Sequence, residues 1–261
     1  MRTFLLTVLL LSLPLLSGQA APIPVRVCGG DSEWPPSSFF RRDQGVPTRE
    51  VAGLSPEILT RIFAGSGYVP VFKLQPWARC QRGVENGLID IAMGGVYSAE
   101  RAQRFLLSRP YFSLTPAYFY WKPTVSAEGI RVKSVTDLGH YRLCGMTGHN
   151  YAVYGQKDDH IDLGSGDYKA AVARLTHRRC DLFMENLEVV RGLAALGEPA
   201  LSDTNLVGRA VPGLPQVPVH FMISRASQQG TALAARIEEK LAAMEKSGEL
   251  AEIVGRYKSK G

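Results

Sequence analysis

Leu88-Ile89-Asp90-Ile91-Ala92-Met93 decides the fold, because its pattern returns as Arg179-Cys180-Asp181-Leu182-Phe183-Met184. In each copy a helical stretch leads to an aspartate and then to a short apolar run ending in methionine. The first run, Ile89 to Met93, reads as a buried strand that stops at Gly94-Gly95. Ahead of it, Pro76 opens a helix with Trp77, Cys80 and Val84 on one face. Earlier, Val25-Arg26-Val27-Cys28 reads as a strand, and Tyr68 to Phe72 as another. Between them Ser55-Pro56-Glu57 starts a helix, with Ser55 as N-cap and Pro56 at the first helical position. Gly65 and Gly67 stop it. The second copy follows a strand at Arg142 to Met146 and a helix at Asp167 to His177. That helix presents Tyr168, Ala171, Val172 and Leu175 on one face. Strands alternating with helices of this length predict an α/β fold with mostly parallel sheets flanked by helices. The duplication predicts two such lobes, with the aromatic stretch Tyr118 to Trp121 suited to a crossover between them. The chain ends in two helical stripes, Leu233 to Met244 and Leu250 to Tyr257, broken at Ser247-Gly248.

Composition narrows the class. Of 261 residues, 45% are hydrophobic and 21% charged, which is ordinary for a globular chain and excludes disorder and a coiled coil. Met1-Arg2, the apolar run Phe4 to Leu16 and the small residues of Gly18-Gln19-Ala20 read as a secretory signal peptide over 1–20, cleaved near Ala20. No later run approaches the ~18 apolar residues of a membrane span. The residue after the cleavage site is not cysteine, which argues against a lipid anchor. The expected address is the periplasm, as a soluble monomer. A net charge of +6 without blocks of Lys or Arg, in an exported protein, argues against nucleic acid as a partner. Export also places Cys28, Cys80, Cys144 and Cys180 in an oxidising compartment, so two disulfides are expected. Three connectivities are open. Cys28–Cys80 with Cys144–Cys180 is favoured because it keeps each bridge within one lobe. No C-x-x-C or H-x-x-x-H spacing occurs, so neither metal nor cofactor is expected.

Open α/β sheets bind ligands beyond the carboxyl ends of their strands. The segments to read are therefore 30–38, 94–101, 146–151 and 185–188. Ser98 is a natural N-cap, and Arg101 falls in the first turn of the helix that follows. A cation there mildly opposes the helix dipole. It suits either a carboxylate ligand, through its forked geometry, or a structural salt bridge to a nearby acid. Gly94 lets backbone approach a ligand, or simply turns the chain. Trp34 and Trp77 sit at strand ends, where an indole stacks on a ligand or joins the core. Asp31 suits an ammonium group or an Asx turn before Pro35. No G-x-S-x-G, G-x-x-x-x-G-K-[ST] or H-E-x-x-H motif is present, and nothing in the sequence demands an enzyme.

Four segments carry a family resemblance. They are Asp31-Ser32-Glu33-Trp34-Pro35-Pro36; Gly53-Leu54-Ser55-Pro56-Glu57-Ile58; the run from Gly87-Leu88-Ile89-Asp90 through Ser98-Ala99-Glu100-Arg101 to Ser108-Arg109-Pro110-Tyr111; and Gly248-Glu249-Leu250 to Tyr257. In order and spacing the mature chain resembles the bacterial extracellular solute-binding proteins of family 3, the periplasmic polar amino-acid-binding proteins of ABC transporters. The resemblance implies a two-lobed, type II periplasmic-binding-protein-like fold. Lobe 1 would be 21–115 with 222–261 and lobe 2 would be 116–221, joined by two hinge crossovers. It implies a ligand α-carboxylate held by Arg101 with help from Gly94 and Val96, stacked on Trp34 and walled by Trp77. A second-lobe loop, Gly145 to Asn150, would close over it.

The sequence departs from the family pattern at three places. Val96 replaces a hydroxyl residue, and His149 and Asn150 replace two more. Asn186 stands where an aspartate would hold an α-amino group, with Glu185 beside it. The arginine clamp is therefore retained while the ammonium clamp is altered. The implied ligand is an amino acid, a small peptide-like molecule or a carboxylate without an α-amino group, delivered to an ABC permease. Two other roles on the same fold are a periplasmic cyclohexadienyl (prephenate/arogenate) dehydratase using Glu185 or Glu188 as general acid, and a ligand-sensing receptor component.

Overall fold

A computed structural model describes residues 21–156 and 160–258. The expected signal peptide at 1–20 lies outside the described residues. The chain begins with β1 (Ile23–Gly30), a hairpin of β2 (Phe39–Asp43) and β3 (Val46–Ala52), α1 (Leu54–Phe63), β4 (Tyr68–Gln75) and α2 (Trp77–Glu85). Then come β5 (Ile91–Val96), α3 (Ala99–Arg104), β6 (Phe105–Leu107) and β7 (Phe112–Leu114). A second set follows: β8 (Pro116–Trp121), β9 (Leu143–Met146), β10 (Ile161–Ser165), α4 (Tyr168–Thr176), β11 (Leu182–Asn186), α5 (Leu187–Ala195), α6 (Pro199–Ser202) and β12 (Leu206–Ala210). The chain then adds β13 (Val217–Ser224), α7 (Gly230–Ser247) and α8 (Glu249–Lys258).

Two helix-flanked sheets result. The first has the order β4-β1-β5-β13-β6, with β7 also on β13; the second has the order β10-β9-β11-β8-β12. The α/β class is as expected, but the sheets are mixed rather than mostly parallel. β1 pairs in parallel with β4 and β5, as β9 does with β10 and β11. Antiparallel pairing enters with the strands next to each crossover: β13 on β5, β6 and β7, and β8 on β11 and β12. A strand that arrives from the other lobe enters at the opposite end from one fed by a local helix, so its direction is reversed.

Two expectations about the crossovers are corrected. Tyr118 to Trp121 is not a crossover. It lies within β8, between β11 and β12, with its first three rings buried. The outward crossing is at Thr115, between β7 and β8. The return precedes Val217, not residue 222, because Val217 to Val219 already pair with β7 in the first sheet.

The start of α1 is also corrected. Its N-cap is Gly53, at φ 127°, where a Cβ would meet the Ser37 carbonyl oxygen at 2.5 Å. The first N–H groups of the helix are taken by the loop before it: Leu54 N donates to Pro36 O (2.8 Å) and Ser55 N to Ser37 O (2.9 Å). Ser55 is thereby released from capping. Its hydroxyl is buried between Ser37 Oγ (2.7 Å) and Tyr111 Oη (2.6 Å).

The duplication is physical. In the first lobe Asp90, immediately before β5, accepts from the Arg26 backbone N (2.8 Å), Nε (2.9 Å) and Nη2 (2.9 Å). In the second, Asp181 before β11 accepts from the same three atoms of Arg142. Two residues beyond each arginine is a bridged cysteine. Cys28 pairs with Cys80 and Cys144 with Cys180, both at Cα–Cα 5.8 Å, which is the favoured connectivity. Each lobe thus ties β1 or β9 by charge to the start of its neighbour, β5 or β11, and by sulfur to the segment that precedes that neighbour.

The two aspartates differ in environment. Asp90 is fully buried; Asp181 is one-third exposed, with Arg142 largely in solvent. Burial pushes the Asp90 carboxyl up, but hydrogen bonds from Arg26 and Ser227 outweigh it and hold the group below its ordinary value. A depressed folded pKa stabilises the protein above the unfolded value and loses that contribution as pH falls through the folded one. Urea unfolding of Asp90→Ala is expected to show a loss of at least about 2 kcal/mol at pH 7, against under about 1 kcal/mol for Asp181→Ala. The Asp90 effect should shrink below about pH 4. Equal losses for the two variants would contradict the burial argument.

Candidate ligand-binding cleft

Between the two lobes, beyond the carboxyl ends of β1, β5, β9 and β11, lies a cavity of about 330 Å³. That is the lower end of the range for small-molecule sites, roughly 300–1,000 Å³. All ten residues expected at the site line it. Asp31, Trp34, Trp77, Gly94, Val96 and Arg101 come from the first lobe, and His149, Asn150, Glu185 and Asn186 from the second.

Arg101 is the charge at its centre. Ser98 caps α3 as expected, its Oγ accepting from Arg101 N (3.1 Å). The side chain is only 7% exposed. One guanidinium nitrogen donates to Val96 O (2.8 Å), and the group lies 5.8 Å from the Trp77 ring centroid, within cation–π range. No carboxylate pairs with it among the described residues. The adjacent Glu100 is bonded instead to Arg104 (2.7 Å), which also binds Glu85. The structural salt bridge that would have explained Arg101 is therefore absent there. Burial depresses its pKa to about 10, which leaves it charged at neutral pH.

Gly94 serves the site through space rather than as a donor. Its N–H is taken by Tyr111 Oη (3.3 Å). At φ +78°, a Cβ here would sit 2.9 Å from the Trp34 ring, so the missing side chain is what lets that indole lie against β5. The strand does not end at Gly94-Gly95 but runs on through Val96. Trp34 also meets His149 edge-on, with ring centroids 6.4 Å apart, and its indole N–H is buried without a partner. Asp31 lies exposed at the cavity margin.

The second lobe contributes a closed network. Glu185, 2% exposed, accepts from Asn186 N (2.7 Å) and Asn186 Nδ2 (2.9 Å) on Oε1. Oε2 accepts from Tyr168 Oη (3.1 Å) and faces His149 Nδ1 at 3.2 Å. Burial pushes the Glu185 carboxyl up, but His149 and the Asn186 donors more than offset it, so it is held below its ordinary value. Asn150 reaches across the cleft, donating from Nδ2 to Tyr97 O (2.9 Å). Glu188 stands outside the cavity. Its carboxylate accepts from Thr115 N (2.8 Å) and Oγ1 (2.7 Å), binding α5 to the outward crossing.

The sequence reading missed Tyr154 and Tyr168. Tyr154 Oη bonds backbone of Ala117 and Glu185; Tyr168 was read only as part of an apolar stripe. A tyrosine on a buried helix face needs a partner for its hydroxyl, which was the available signal.

The model of the bacterial extracellular solute-binding proteins, family 3, matches residues 27–260. Among solved structures, the substrate binding protein of an amino acid ABC transporter is 16% identical with a TM-score of 0.70, covering 90% of this chain and 98% of its own. The arginine-, lysine-, histidine-binding protein ArtJ from Geobacillus stearothermophilus is 17% identical with a TM-score of 0.67, covering 89% and 94%. A histidine kinase sensor domain with similarity to periplasmic binding proteins is 22% identical with a TM-score of 0.69, covering 90% and 96%. At these identities the likeness is one of fold. No curated protein sequence matches the chain.

The packing of Trp34 on Gly94 is testable. Gly94→Ala combines a left-handed backbone with a collision against the ring, and is expected to cost at least about 1 kcal/mol of stability. Quenching of tryptophan fluorescence by iodide should rise as the indole is displaced. Unchanged stability and unchanged quenching would show that the ring does not depend on the glycine.

Proposed function

We propose that this chain, which belongs to the bacterial extracellular solute-binding proteins of family 3, captures a small carboxylate-bearing solute between its lobes, an amino acid or a close relative, for delivery to an ABC permease in the membrane. One observation carries the reading: Arg101 is a buried guanidinium, aimed into a small cavity, with no carboxylate partner among the described residues. Burying a charge without a counter-charge is costly, and a ligand carboxylate removes that cost with two parallel charge-assisted hydrogen bonds. Trp77 covers one side of the guanidinium and Trp34 offers a further aromatic wall.

Closure fits the same role. A ligand shifts a two-state equilibrium only through better contacts in one state. Here the cavity lining divides between lobes, with Arg101 and Trp34 on one side and His149 and Asn150 on the other. The closed form would then be what the permease recognises. We place the mature protein in the periplasm, following the signal peptide read at 1–20. The dehydratase alternative needs a carboxyl kept protonated near neutrality. Glu185 is held ionised instead, and Glu188 is bonded to the crossing, so the binding role has the stronger support.

A thermal-shift screen of amino acids, short peptides, polyamines and small organic acids tests this. A ligand at a hundred times its Kd should stabilise the protein by about 2.7 kcal/mol. Arg101→Ala should weaken binding of the hit by at least about 2 kcal/mol, roughly thirtyfold. A loss below threefold would make Arg101 structural and remove the basis of the proposal.

A further inference from the structure

We infer that the ligand class is organic carboxylates without an α-ammonium group, and that His149 sets this preference by occupying the acidic group that an ammonium would need. The inference rests on the carboxylate-binding reading above and narrows its ligand.

An ammonium needs a carboxylate with free acceptor capacity inside the cavity. Three carboxylates line it: Asp31, Glu33 and Glu185. Glu33 is consumed by Arg42, whose Nη1 and Nη2 reach its two oxygens at 2.7 and 2.9 Å, and by Phe40 N at 2.7 Å. Glu185 is the only one of the three that is buried, and it is saturated. A carboxylate offers about four acceptor sites, and Asn186 N, Asn186 Nδ2, Tyr168 Oη and His149 Nδ1 use four. Asn186 has no charge to offer, and its amide N–H is directed at Glu185. Asp31 is exposed, where an ion pair is screened by water and contributes little.

The opposite charge has no such compensation. Arg101 is buried and unpaired by any carboxylate among the described residues. The cavity therefore presents one unsatisfied cation and no unsatisfied buried anion. An anion completes it. A zwitterion brings a second charge that must displace His149 from Glu185 or remain unpaired, and both are unfavourable. His149 holds that Glu185 carboxylate oxygen in place of the ligand's own ammonium. It is a specificity-determining residue through its contact with Glu185, while its ring also borders the cavity beside Trp34.

The test uses matched probes that share a side chain and differ only in the amino group. They are succinate with aspartate, glutarate with glutamate, isocaproate with leucine and hydrocinnamate with phenylalanine. Calorimetric titration of the mature chain is expected to show the des-amino member of a binding pair at least tenfold tighter. His149→Ala frees an oxygen of Glu185 and should move that ratio at least tenfold toward the amino acid; the wild-type comparison stands even where this variant folds poorly. Binding lost in Arg101→Ala but with the amino acid tighter in the wild type overturns this inference and leaves the carboxylate site standing. Binding by neither member of any pair, or binding indifferent to Arg101→Ala, overturns both.

Discussion

A buried guanidinium with no carboxylate partner among the described residues is the constraint around which the cleft is organised. Arg101 gains one carbonyl and the face of one indole from its own lobe, and neither carries a full negative charge. Its neighbours with carboxylates, Glu100 and Glu85, are drawn away to Arg104. That arrangement leaves the free protein with an electrostatic deficit in the cavity. A small anion is the simplest group that removes it.

Holding such a deficit requires a stiff frame. The repeated pairing of Arg26 with Asp90 and Arg142 with Asp181 fixes β1 to β5 and β9 to β11, the strands whose ends form the site. The disulfides fasten β1 and β9 from a second direction. Behind β5, the buried chain of hydroxyls from Ser37 through Ser55 to Tyr111 ends on Gly94 N, and Tyr111 stacks on Phe221 at 4.0 Å. Burial pushes the Tyr111 hydroxyl up to about 12, so it stays neutral and serves as a fixed hydrogen-bonding group. Glu188 does comparable work at the crossing, where it secures Thr115.

The part of this frame that was legible in the chain is local. The helix–Asp–strand pattern around Asp90 and Asp181 reports two α/β units, and strand ends report where a crevice forms. That route picked out Arg101, and the family resemblance supplied its expected carboxylate-binding role. What escaped was non-local. Val217 to Phe221 alternates as a half-buried strand would, but nothing nearby reveals which sheet it joins, and it returns to the first to pair with β7. The capping role assigned to Ser55 fell to Gly53 because a distant loop supplied the acceptors. The His149–Glu185–Tyr168 network joins a loop, a strand and a helix separated in sequence, and only their packing brings them together. The family resemblance named His149 and Glu185 as candidates; only geometry showed that they engage each other.

The most direct measurement is a crystal structure of the mature chain grown with the tightest-binding carboxylate from the screen. The account predicts a carboxylate oxygen within hydrogen-bonding distance of the Arg101 guanidinium, roughly 2.7–2.9 Å, with the His149–Glu185 contact intact. A ligand seated in the cleft with its carboxylate elsewhere, and Arg101 still facing Val96 alone, would contradict it.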